Sequence, residues 1–484
     1  MYTDVMTEIA RFKAGRIHVA RAGLATQARL CVDMLQQGRG MAWVVKNRDE
    51  LLTARALMRL FSPELSSGDF LPDALDKGGW TSLPPFSPRS ANREGWTERL
   101  SALYALRSGQ AKGLILTADN LLPKLVPLDF FENREVTLIR GEDVSLDMIL
   151  EQAVEWGYER VSMVSNPGEI ARRGDILDIM PPGYDKPIRL DFFGDLIEEI
   201  RLFDPVSQRS KANLSEVRVL PVSPIRQSPA DQAKMQARWK SLFQKNMLTE
   251  NERFGLTRLQ EQGDFRLLPG CCYDTATNLE AWLPADTVWV LPGLSDFRDM
   301  LSSAERLWTE AFEAQDVEGR PQPQRLAMRE ASDVESACER FACVHAEPLV
   351  MGIAKGIHDL PERSLSSFED LFPSTAEQDR PWQTLVQALK RWQNDKRQTI
   401  LCFASEKSRT KFLNLASQDG LSPLLRYSGE QHGLFALVAP FRAGAELIWD
   451  QSLILGEDLL QPHAEKSRRV PTGAFKGLDR YDEL

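Results

Sequence analysis

Five histidines, six cysteines and scattered carboxylate pairs are the groups of this 484-residue chain that could support acid–base, nucleophilic or metal chemistry. His18, His345, His358, His432 and His463 lie in no G-x-S-x-G elbow and no H-E-x-x-H pair. Cys31, Cys271, Cys272, Cys338, Cys343 and Cys402 form no C-x-x-C and have no histidine at ligand spacing, so they read as buried, reduced thiols. Glu198 and Glu199 fall on ordinary strand positions. No constellation here needs an enzyme to explain it, and the chemistry that remains is recognition. In Ile188–Phe193 apolar and polar residues alternate, placing Ile188, Leu190 and Phe192 on one strand face and Arg189, Asp191 and Phe193 on the other. An exposed Phe beside an Arg has the composition of a binding hot spot. A Phe tucked under a neighbouring loop fits the spacing equally well.

The segment that must position these side chains runs from Gly168 to Asp204. It reads as three short strands, Asp175–Met180, Ile188–Phe193 and Leu196–Phe203. Pro181-Pro182-Gly183 ends the first, and Gly194-Asp195 links the other two in the manner of a type II′ hairpin turn. Arg173 sits just before the first strand, where parity cannot place it.

The same segment carries a likeness. GEIARRGDILDIMPPG, PIRLDFFGD and EEIRLFDPVSQRS resemble the small second domain shared by UvrB and the bacterial transcription-repair coupling factors, the Mfd family. The likeness is strongest over residues 157–210 and extends more weakly over most of the chain. It implies that this domain docks onto UvrA, with Arg173, Arg189 and Phe193 at the contact positions.

The likeness also makes the strand-to-helix turn RAGLATQA informative. In UvrB this turn is a phosphate-cradling G-x-x-x-x-G-K-[ST] loop. Here Arg21 and Thr26 stand for the glycines, Gln27 for the lysine and Ala28 for the Mg-binding hydroxyl. Without them backbone amides cannot close on a phosphate and nothing neutralises it. Pro292-Gly293 likewise replaces a metal-binding acidic pair, and Asp119–Phe131 leaves no room for UvrB's damage-probing hairpin. These departures favour the N-terminal region of a coupling factor, non-catalytic and without cofactor or metal, over the alternative, a UvrB-like ATP-dependent damaged-DNA-binding protein. ATP and Mg, RNA polymerase and duplex DNA would belong to the rest of a longer protein, a DNA translocase.

Length argues for three or four domains, and 43% hydrophobic with 26% charged residues describes a soluble globular chain. A net charge of −10 argues against bulk nucleic-acid binding. No run could span a bilayer and the start lacks a signal-peptide layout, so a cytoplasmic location is expected. Alternating strands and helices imply a multidomain α/β chain. The expected parts are 1–133, the first part of a degenerate P-loop-type parallel α/β sheet domain; 134–220, an inserted α+β UvrA-binding domain; 221–345, the rest of the sheet domain; 346–460, a further small α/β domain; and 461–484, a linker towards an RNA-polymerase-binding domain. Residues 84–92 read as an exposed loop, PVSPIRQSP as a linker, Gln232–Leu259 as one helical stretch and Asp49 as a helix cap.

Overall fold

A computed structural model describes residues 2–12, 14–61, 79–347, 357–374, 378–427 and 432–460. The linker expected at 461–484 and His463 lie outside these residues. The chain divides into two compact units, Met1–Pro361 and Glu362–Leu484.

The first unit is built on a seven-stranded, all-parallel sheet. Its spatial order is Ile357–Asp359, Gly15–Ala20, Ala342–Glu347, Val288–Pro292, Met41–Val45, Gly113–Thr117 and Trp80–Leu83. Met41–Val45, Gly113–Thr117 and Val288–Pro292 are buried along their whole length, which is why they read as continuous apolar runs. The strands come from both ends of the unit, and residues 136–219 contribute none of them. Those residues instead form a six-stranded sheet, ordered Ser210–Leu214, Leu196–Phe203, Ile188–Phe193, Ile176–Ile179, Glu169–Arg173 and Glu159–Arg160. Val136–Ile139 pairs with Glu216–Val219 beside it. The helix Leu146–Glu155 lays Leu146, Ile149, Leu150 and Ala153 against this sheet, an i, i+3, i+4, i+7 stripe.

Several local expectations are corrected. Residues 84–92 are not an exposed loop, because Phe86 is buried in edge contact with Trp96 and beneath the Arg99 guanidinium. The 221–228 connection is packed rather than loose. Trp156 O accepts from both Val222 N (3.0 Å) and Ser223 N (3.1 Å), Tyr158 Oη donates to Leu220 O (2.8 Å), and Val222 and Ile225 are buried. The single helical stretch at 232–259 is two helices, Pro229–Gln244 and Glu250–Glu261. Asn246 takes a left-handed φ of 56° after the first, and Thr249 and Glu252 cap the second reciprocally. Asn47, not Asp49, caps the helix Arg48–Phe61, accepting from Glu50 N at 3.0 Å.

The second unit begins at Glu362 and not at residue 346, because Ile357–Asp359 pairs with Gly15–Ala20 in the first sheet. It holds a mixed five-stranded sheet, ordered Glu362–Leu365, Gly444–Leu447, Ser452–Gly456, Gln398–Phe403 and Leu434–Val438. Leu385, Val386, Leu389 and Trp392 of helix Pro381–Asn394 are core, as their spacing predicts. Among the described residues no helix is long and apolar enough to cross a membrane.

Candidate functional site

The six-stranded sheet has two unlike faces. Ile170, Leu177, Ile188, Leu190, Phe192, Ile197, Ile200 and Leu202 point to the core shared with helix Leu146–Glu155. The opposite parity builds an outer face, and strand register determines who shares it. Arg173 pairs with Ile176, Ile176 with Asp191, Asp178 with Arg189, and Arg189 with Arg201. Paired residues point to the same side of a sheet. Arg173, Arg189 and Phe193 therefore lie on one face. The sequence placed only the last two together. Arg173 does precede the strand Ile176–Ile179, and it ends a further strand, Glu169–Arg173, turned at Gly174 with φ 63°.

The three side chains are held very differently. Phe193 is 75% exposed beside the Gly194 turn, where Gly194 has φ 63° and Phe193 pairs with Leu196. That disposes of the alternative in which a loop covers its ring. Arg173 is exposed, and its Nη2 donates to Ser162 O at 2.7 Å. Arg189 is built into the fold. Its Nε and Nη2 donate to the two carboxylate oxygens of Asp178 at 2.7 and 2.8 Å, and Nη2 donates again to Gln208 Oε1 at 3.0 Å. Its guanidinium lies 4.5 Å from the centre of the buried Phe203 ring. The Asp178 side chain is only 3% exposed, so this is a mostly desolvated, bidentate pair. The hydrogen bonds to Asp178 raise the guanidinium pKa further. Two of its three nitrogens are committed within the sheet.

Two loops close one end of the outer face. Val164 packs with Ala171 and Met180 on one side. On the other, the turn 204–209 folds back so that Gln208 reaches Arg189. Asp204 Oδ1 accepts from Ser207 N and Oγ at 2.8 and 2.9 Å, Asp204 O accepts from Gln208 N at 2.8 Å, and Gln208 Nε2 donates to Pro205 O at 2.8 Å. The bonds from Ser207 hold the Asp204 carboxyl below the usual range. Asp178, Phe203 and Gln208 are neighbours of Arg189 that the spacing did not single out. Gln208 was visible in the run EEIRLFDPVSQRS, but its partner depended on a turn geometry that the run does not specify.

The turn expected to be a degenerate phosphate loop is filled from within. Gln27 Nε2 donates to Ala22 O and its Oε1 accepts from Trp43 Nε1, both at 2.9 Å. Thr26 and Ala28 are buried in helix Leu24–Gln36. Arg21, at φ 55°, bonds both carboxylate oxygens of Asp359, with Nε at 2.8 Å. At the second position Pro292 O faces His345 Nδ1 at 3.1 Å, and burial lowers the His345 pKa. With no lysine and no exposed hydroxyl, these residues do not fit a nucleoside triphosphate with its magnesium. All six cysteines are buried free thiols, and the described residues hold no cluster of three or more metal-ligating side chains.

Residues 136–224 match the UvrB interaction domain family. The chain is similar to the transcription-repair-coupling factor of Myxococcus xanthus, 32% identical over 237 residues, 47% of this chain and 19% of that protein. It is also similar to those of Escherichia coli K12, 33% identical over 34% of this chain and 14% of the relative, and of Staphylococcus aureus MSSA476, 42% identical over 26% and 11%. The matched regions span less than a fifth of the length of these relatives. Together the matches support likeness to the N-terminal region of Mfd.

Proposed function

We propose that this chain recruits UvrA in transcription-coupled nucleotide excision repair, and that the outer face of its six-stranded sheet is the docking surface. The observation that carries this reading is the exposed Phe193 ring on the same sheet face as Arg173, within the residues that match the UvrB interaction domain. Burying a Phe contributes roughly 2 kcal/mol, enough to anchor a patch whose rim is charged. Arg173 supplies an accessible guanidinium. Arg189 supplies a rigid floor on the same face, two residues beyond the Asp191 level at which Arg173 stands.

The chain does no chemistry of its own in this reading, binds no nucleotide and works in the cytoplasm. The intrachain bonds of Gln27 and Arg21 support the lack of nucleotide binding. ATP-driven DNA translocation and contact with RNA polymerase would belong to the remainder of a longer protein. Titrating purified UvrA onto the immobilised chain tests the docking reading. Saturable binding that Phe193→Ala weakens at least about tenfold is the expected result. Undiminished binding by that folded variant would move the docking surface elsewhere.

A further inference from the structure

We infer that the turn 204–209 is a second anchor of the same docking face, presenting Val206 to the partner that Phe193 engages; this rests on the UvrA reading above. Val206 is 93% exposed, the most exposed large apolar side chain among the described residues. An exposed valine on a mobile loop would be unremarkable. This one sits on a turn fixed at both ends by the Asp204–Ser207 and Asp204–Gln208 hydrogen bonds, and the turn is tied to the sheet through Gln208 and Arg189. A side chain held in place before contact loses little freedom on binding, which favours its use as an anchor.

The position on the sheet ties the turn to the face that Phe193 shares, so the occupant is the one proposed above. Phe193 lies at the Gly194 end of strand Ile188–Phe193. Arg189, which Gln208 grips, lies four residues back, about 13 Å away along an extended strand. Phe193 and the turn that carries Val206 therefore stand towards opposite ends of strand Ile188–Phe193, with the Arg189–Asp178 pair between them. The span of about 13 Å from Phe193 to Arg189 fits within a standard interface of about 800 Å² per partner. The inner layer also explains the role of Arg189. Asp178 and Gln208 occupy its Nε and Nη2, so it is a positioning residue that holds the turn against the sheet.

The test uses the full 484-residue chain and purified UvrA, measuring affinity for Val206→Asp, Val206→Leu and Phe193→Ala, with circular dichroism as a control for folding. Val206→Asp should weaken binding at least about tenfold, equivalent to about 1.4 kcal/mol, and Val206→Leu should retain it. If Phe193→Ala weakens binding and Val206→Asp does not, the second anchor is refuted and the docking face stands. If neither weakens it, the docking reading falls, and the second anchor with it. Gln208→Ala separates placement from contact: it should weaken binding while leaving Val206 chemically intact, and unchanged affinity would overturn the brace.

Discussion

Arg189 and Asp178 stand directly opposite one another on adjacent antiparallel strands, joined by two parallel hydrogen bonds on the face of the sheet that is turned away from its core. The acid is almost completely buried and the base is capped by Phe203 and Gln208. An ionic pair thus occupies the middle of a surface whose ends are apolar.

Removing Arg189 should therefore damage the fold. Arg189→Ala leaves the Asp178 carboxylate buried without its counter-ion, at a cost of about 3 kcal/mol. Urea denaturation followed by circular dichroism should show this loss, and adding Asp178→Ala should recover part of it. A stable Arg189→Ala variant that fails to bind UvrA would show that the guanidinium acts at the partner instead.

Phe193→Ala and Arg173→Ala should behave in the opposite way. Both side chains are exposed, so thermal midpoints should move little while UvrA affinity falls, at least about tenfold for the Phe. Melting of the domain by Phe193→Ala would identify the ring as part of the packed structure.

A fluorescent ATP analogue should show no micromolar affinity for the chain. Restoring the missing charge should not restore binding either. Gln27→Lys removes the acceptor of the buried Trp43 indole N–H and should cost about 1–2 kcal/mol of stability without producing nucleotide affinity. Tight binding by the natural chain would overturn the assignment.

The second unit should lose stability in acid. Glu446 accepts from Arg397 Nη2 at 2.5 Å and Arg363 Nη2 at 2.6 Å. Burial pushes its carboxyl up, but the two guanidinium groups outweigh that and hold it below the usual range. Its folded pKa lies below its unfolded one, so its contribution is complete above about pH 4.3 and disappears as the pH falls through the folded value. Hydrogen exchange in strand Gln398–Phe403 should accelerate below about pH 4, and Glu446→Gln should flatten that dependence.

What was legible in the sequence follows the range of the forces involved. Alternation across Ile188–Phe193 and the Gly194 turn are local, and parity put Phe193 on the charged face while leaving open whether a loop covers it. Arg173 could not be placed because its face depends on pairing with Ile176, a matter of register. The Arg189–Asp178 pair spans two strands, and no spacing rule indicates which carboxylate meets which guanidinium. Residues 84–92 and 221–228 misled for a common reason: Pro and Ser mark irregular backbone, whereas Phe86, Val222 and Ile225 decide whether that backbone is buried.

The buried connection at 220–226 has a mechanical meaning. The inserted sheet leaves and rejoins the parallel sheet through the paired strands Val136–Ile139 and Glu216–Val219, with Trp156 O accepting from Val222 and Ser223 just past the return strand and Arg93 of helix Arg93–Arg107 ion-paired to Glu159. A clamped return crossing and a side brace make a bracket instead of a swivel. Under the docking reading, a partner seated on Phe193 would take its heading from the parallel sheet, and a pull on one would turn both together.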